Sequence, residues 1–107
     1  MDTNESLLRA IFATIGRNTF PRKAVLAIVA LRENSEKNLV AYNLCDGNTP
    51  QIEIAKRAKL DKSNFGKALA RWVDAGIVVR VGKEEHPLHV YPLSGDALKE
   101  KKEREND

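Results

Sequence analysis

One cysteine, one methionine, two histidines and 6% aromatic residues are all that this 107-residue chain holds of the side chains that most often build redox, metal or stacking sites. Cys45 alone cannot close an internal disulfide, and with only His86 and His89 beside it there is little material for a metal centre. Residues three apart on an extended strand point to opposite faces, and no acidic or thiolate partner lies near the two histidines, so no metal site is expected. The longest uninterrupted apolar run, Ala24 to Leu31, covers eight residues, far short of the ~20 that a membrane helix needs. Met1 to Ser6 lacks the basic start of a secretion signal, and a cytoplasmic location is expected. The length allows a single core and excludes a multidomain enzyme. No Ser-His-Asp set, phosphate-binding glycine loop or pair of carboxylates with a plausible cleft can be assembled, so neither catalysis nor a cofactor is expected.

What the chain does have is charge, at 31% of residues with a net +3. The surplus is concentrated. Residues 1–50 hold six basic and five acidic side chains, 51–83 eight and three, 84–95 none and two, and 96–107 four and five. A local basic excess on helices is the electrostatic footprint of a module that neutralises phosphates, although a solvated helix face carries charge of the same kind.

Periodicity supplies the elements. In Ser6 to Arg17 the residues Leu7, Leu8, Ile11, Phe12 and Ile15 form one stripe on a helix, and that helix needs something to pack on. Thr19, Phe20 and Pro21 give a start signal for a second helix, apolar almost all round over Ala24 to Leu31, which predicts burial on every side. After a polar break, a third helix from about Glu36 to Asp46 places Val40, Ala41, Leu44 and Cys45 on one face and stops at Asp46 and Gly47. Thr49 as cap and Pro50 as first-turn residue open a fourth, with Ile54, Ala55, Ala58 and Leu60 inward. Asp61 caps a fifth that runs to Ala75, with Phe65, Ala68, Leu69 and Trp72 at i, i+3, i+4 and i+7, and Gly76 ends it. That spacing puts Phe65 and Trp72 in the core rather than against bases. Two short helices joined by a tight turn must cross over a shared third, which is helix-turn-helix geometry. Ile77 to Val81 and Leu88 to Leu93 then read as a hairpin, whose turn from Gly82 to Pro87 forms a polar tip. From Asp96 onward nine of the last twelve residues are charged, and most of that tail reads as solvated or disordered.

The residues and their order resemble the winged helix-turn-helix DNA-binding regulators, most nearly the MarR and ArsR kind, over roughly residues 36 to 95. The resemblance is carried by Gln51, Glu53, Ile54 and Ala55 as a "Q-x-E-I-A" helix, by Leu60 before the turn, and by Asn64, Phe65, Lys67, Leu69, Arg71 and Trp72 in a recognition-type helix. Its strongest piece is "W-V-D-A-G-I-V-V-R-V", Trp72 to Val81, followed by "H-V-Y-P-L-S" from His89. Gly66 and Ile52 depart from the pattern, which usually has polar residues at both places.

The resemblance implies a fold class, mainly α with a small β-hairpin (α+β). A winged helix-turn-helix domain would span 36–95, after two N-terminal helices in 1–35 that serve dimerisation or packing and before a charged tail over 96–107. It also implies a sequence-specific regulator of transcription, a repressor by promoter occupancy, that inserts helix 61–75 into the major groove of double-stranded DNA. The side chains turned away from the core, Lys62, Ser63, Asn64, Lys67 and Arg71, would meet DNA, although Ser63 and Asn64 serve equally well as helix caps. Neighbouring cations at Lys62, Lys67 and Arg71 repel unless phosphate neutralises them. Gly66 costs its helix about 1 kcal/mol relative to alanine, tolerated either to admit close backbone approach to DNA or as neutral drift. Gln51 would reach phosphate or remain an exposed polar residue. Arg80 and Lys83, at the base and tip of the hairpin, would touch phosphate or minor groove, against repulsion from Glu84 and Glu85. Leu7 to Ile15 together with Val25 to Leu31 offers more apolar surface than one small core absorbs, so a two-fold homodimer is expected, with recognition helices ~34 Å apart on a pseudo-palindromic operator. The alternative is the same fold used as a protein-interaction or assembly module; a more distant one is an enzyme subunit whose active site lies on another chain. No polar cluster marks an effector site between the N-terminal helices and the winged body.

Overall fold

The computed structural model describes residues 3–30 and 34–94. The charged tail over 96–107 and Leu31 at the end of the apolar run lie outside the described residues. Five helices precede one hairpin: α1 (Thr3–Thr19), α2 (Arg22–Val29), α3 (Ser35–Asn43), α4 (Gln51–Arg57), α5 (Lys62–Asp74), β1 (Val78–Val81) and β2 (His86–His89). The arrangement is mainly helical with a two-stranded antiparallel sheet, an α+β fold.

The core gathers Trp72, Tyr42, Phe65, Ile54, Leu69 and Ile77, all fully buried, with Val25 and Val29. Tyr42 meets the edge of Trp72 at 5.7 Å, and Phe65 meets it at 5.9 Å. The inward faces expected of α4 and α5 are the faces the structure buries. Asp61 caps α5 as its sequence position suggests, its carboxylate accepting from the Ser63 and Asn64 N–H groups. Gly76 ends that helix with φ +81, a left-handed conformation open to glycine without steric cost. Gly76 N–H then donates to Val73 O and Ile77 N–H to Trp72 O, closing the helix end.

Four local expectations are corrected. α2 is one-sided rather than buried all round: Val25 and Val29 point inward while Ala24 and Ala27 face solvent. Alanines tolerate either environment, so the one-turn spacing of the valines sets the face. α3 ends at Asn43 and turns Asn38, Leu39, Ala41 and Tyr42 inward, with Cys45 buried just beyond it, and leaves Val40 49% exposed. The cause is Tyr42, whose ring is buried whole while its hydroxyl donates to Tyr91 O at 2.6 Å, an arrangement that suits an amphipathic side chain. Thr49 does not cap α4. Pro50 occupies the cap, and Thr49 is buried with its hydroxyl donating to Asp46 Oδ2 at 3.1 Å. Last, the second strand is His86–His89 rather than Leu88 to Leu93, in register Val78↔His89 to Val81↔His86. Its other edge is covered by the segment after α3: Gly47 N–H donates to Pro87 O and His89 N–H to Cys45 O, beside an Asp46↔Leu88 bridge. Beyond His89 the chain is held by side chains instead of a strand, with Asn43 Oδ1 accepting from Leu93 N–H and Asn43 Nδ2 donating to Leu93 O.

α1 meets the body along a narrow line. Gly16 is buried against Val90, close enough that an added Cβ would fall 1.5 Å from Val90 Cγ2, so only a residue without a side chain allows that approach. Phe12 and Phe20 lean on the core, and the Tyr91 hydroxyl donates to Phe20 O. Among the described residues the rest of the expected stripe is left open: Leu7, Leu8, Ile11 and Ile15 are 57%, 63%, 46% and 58% exposed.

Candidate nucleic-acid interface

α5 presents two chemically opposite sides. Phe65, Ala68, Leu69 and Trp72 are buried, while Lys62, Ser63, Asn64, Lys67 and Arg71 are all exposed. Because the Asp61 carboxylate takes the backbone N–H groups of Ser63 and Asn64, the cap is made by Asp61 and both side chains project into solvent. α4 lies beside α5 across the link 58–61, in which Lys59 adopts φ +58. Its own cations are divided: Arg57 is paired with Glu53 at 3.0 Å, whereas Lys56 is exposed.

The remaining sequence candidates fall into two groups. Gln51 and Arg80 are brought together, an Arg80 guanidinium nitrogen donating to Gln51 Oε1 at 3.3 Å and a second to Glu85 O at 3.4 Å. The link joins the start of α4 to the hairpin across 29 residues of sequence, a pairing that no periodicity could register. Gly66 faces the same place: a Cβ built there would have Gln51 Nε2 alone within 4 Å, at 3.8 Å. Glycine thus sits at the α4–α5 junction, half-buried, rather than on the outermost line of the helix. Lys83 stands apart from this group, exposed in the hairpin turn.

The two acids of that turn differ. Both are exposed, but Glu84 Oε2 lies 3.0 Å from His86 Nε2, an acidic neighbour that the sequence pattern did not anticipate, while Glu85 contributes its backbone carbonyl to Arg80. His89 is half-buried with Nδ1 2.9 Å from Tyr42 O, and burial pushes its pKa below the usual histidine value despite that hydrogen bond and the nearby Asp46 carboxylate. For Asp46, burial opposes ionisation. The Asn48 N–H and the Thr49 hydroxyl and N–H outweigh it, and hold the carboxyl below the usual carboxylate range. Cys45 is fully buried, and burial pushes its thiol up to about 12. The outer side of α5 is chemically distinct from these groups: Lys62, Lys67 and Arg71 stand exposed along it, a local excess of positive charge whose field attracts anions.

No family model, no curated protein and no solved structure matches this chain. Among the described residues no helix is long and apolar enough to cross a membrane.

Proposed function

We propose that the chain is a sequence-specific regulator of transcription with winged helix-turn-helix architecture, which represses by docking α5 in the major groove of double-stranded DNA. The observation that carries this reading is the α5 face itself: three cations and two short polar side chains, every one exposed, on a helix whose aromatic underside is buried in the core. Lys62, Lys67 and Arg71 supply phosphate neutralisation, and Asn64 can offer both amide groups to an adenine edge. Ser63 reaches base or phosphate from the first turn. Arg80, steadied by Gln51, and Lys83 in the hairpin turn extend the cationic surface beyond the helix.

The exposed stripe of α1 supports a homodimer: full burial of a Leu or Ile side chain is worth about 1.5–3 kcal/mol, and these residues, 46% to 63% exposed, forgo part of it. A two-fold pair would set the two α5 helices one DNA turn apart, ~34 Å, and would call for a pseudo-palindromic operator.

A second reading, a protein-interaction module, draws on Ile52, which stands 62% exposed on α4. One salt series separates the two. Wild type should bind duplex DNA with an affinity that falls as salt rises, and Lys67→Ala and Arg71→Ala should each flatten the log–log slope by about one unit, as expected when one phosphate is no longer neutralised. A chain whose wild type shows no salt-dependent duplex binding is an interaction module.

A further inference from the structure

We propose that Arg80 binds a backbone phosphate of the duplex where α4, α5 and the hairpin meet, and that Gln51 is the positioning residue that holds it there. This contact rests on the docking of α5 in DNA, and it excludes the other contact open to Arg80, the minor groove.

Arg80 stands at the base of the hairpin, opposite Pro87 in the strand register, with the turn 82–85 beyond it. Its guanidinium is tied at both terminal nitrogens, one donating to Gln51 Oε1 at 3.3 Å and the other to Glu85 O at 3.4 Å. An arginine that enters a minor groove has to extend past the loop that carries it, whereas this one is drawn back to α4. Each terminal nitrogen carries a second hydrogen, and Nε–H adds a third donor, so the fork can still meet an anion. Both acceptors are uncharged oxygens, which orient the guanidinium without cancelling its charge.

Gln51 is placed to support rather than to bind. It is half-buried, its Oε1 is spent on Arg80, and its Nε2 turns to α5, 3.8 Å from where a Cβ on Gly66 would stand. The amide thus braces the hairpin against α5. Lys62 and Ser63, both exposed, precede Gly66 by one turn on the same side of the helix. A sugar-phosphate strand passing that edge would meet a guanidinium already oriented by two partners. Such a contact fixes the register of the duplex and carries no sequence information.

The test begins on the free protein, with its arginine side chains isotope-labelled. Nε relaxation should report an ordered Arg80, and Gln51→Ala should make that side chain mobile in a chain that still unfolds cooperatively. Duplexes selected from a random pool are then titrated over a salt series. Arg80→Ala should weaken binding by the same factor on selected and unrelated duplexes, and should flatten the log–log slope by about one unit. Gln51→Ala should lose affinity when Arg80 is present and nothing further in Arg80→Ala. Replacing A·T pairs by 2,6-diaminopurine·thymine, which adds an amino group in the minor groove alone, should cost wild type and Arg80→Ala the same factor. Four results would overturn the contact while duplex binding itself stands: an Arg80 equally mobile with and without Gln51, a slope unmoved by Arg80→Ala, additive losses in the double variant, or a diaminopurine cost that vanishes in Arg80→Ala. A wild type without salt-dependent duplex binding would overturn the docking of α5 and this contact together.

Discussion

Asp61 and His89 show how single side chains set local stability in this molecule. The Asp61 carboxylate satisfies two backbone N–H groups at the start of α5 that have no partner within the helix. Asp61→Ala should therefore lower the stability of the whole chain by about 1 kcal/mol, read from a denaturant midpoint with an unchanged slope. His89 works through pH. Burial depresses its folded pKa from the usual 6.5, so between the two values the unfolded chain binds more protons than the native one, and acid favours unfolding. Thermal midpoints should fall as the pH is lowered from 7 through 6.5 and below, until the folded pKa is passed. In His89→Gln that part of the fall should disappear, even if the variant starts from a lower midpoint at pH 7. Asp46, held below the usual carboxylate range, keeps its contribution over the same interval and loses it only in more acidic solution.

Among the elements, α5 has two unlike sides: it packs through Trp72 and is exposed along Lys62, Asn64 and Lys67, the side that the proposed docking in DNA would use. Gly66 weakens it from within. With only Gln51 Nε2 within 4 Å of a built Cβ, and that at ordinary van der Waals distance, Gly66→Ala should stabilise the chain by about 0.5–1 kcal/mol through helix propensity. The same variant should be titrated with duplex: a gain in stability accompanied by a loss of affinity would mean that the α5 backbone approaches DNA at that point. The periodicity of α4 and α5 was legible because most of their apolar residues lie on one buried strip, Ile52 and Val73 being the exposed exceptions, and because Asp61 and Gly76 mark the ends of α5 with unambiguous chemistry. α2 and α3 were less legible. Alanine does not say which way it faces, and Tyr42 has both a ring to bury and a hydroxyl to satisfy, so its orientation depends on where Tyr91 O lies.

At the scale of the whole molecule the unmet demand is α1. It touches the body through Gly16, Phe12 and its C-terminal end, and leaves Leu7, Leu8, Ile11 and Ile15 in water. α2 makes no such demand, because Val25 and Val29 are already packed in the core. If a second copy covers α1, the wild-type chain should sediment as a dimer. Replacing Leu7, Ile11 and Ile15 together with serine should give a monomer with the same far-ultraviolet circular dichroism. A wild type that is monomeric at tens of micromolar would leave the stripe for another partner.

Patterns within about a dozen consecutive residues decided the helices, the inward faces of α4 and α5, and the cationic outer face of α5, because each depends on a repeat that neighbours along the chain can express. Pairings between distant segments were settled only by the tertiary structure: Gln51 with Arg80, Asn43 with Leu93, Cys45 and Gly47 along the open edge of β2, and Arg9 over Gly47. Each of these joins groups whose separation in sequence carries no period. Hydrogen-bonding need and close packing select such partners, and both act through space once the core has formed.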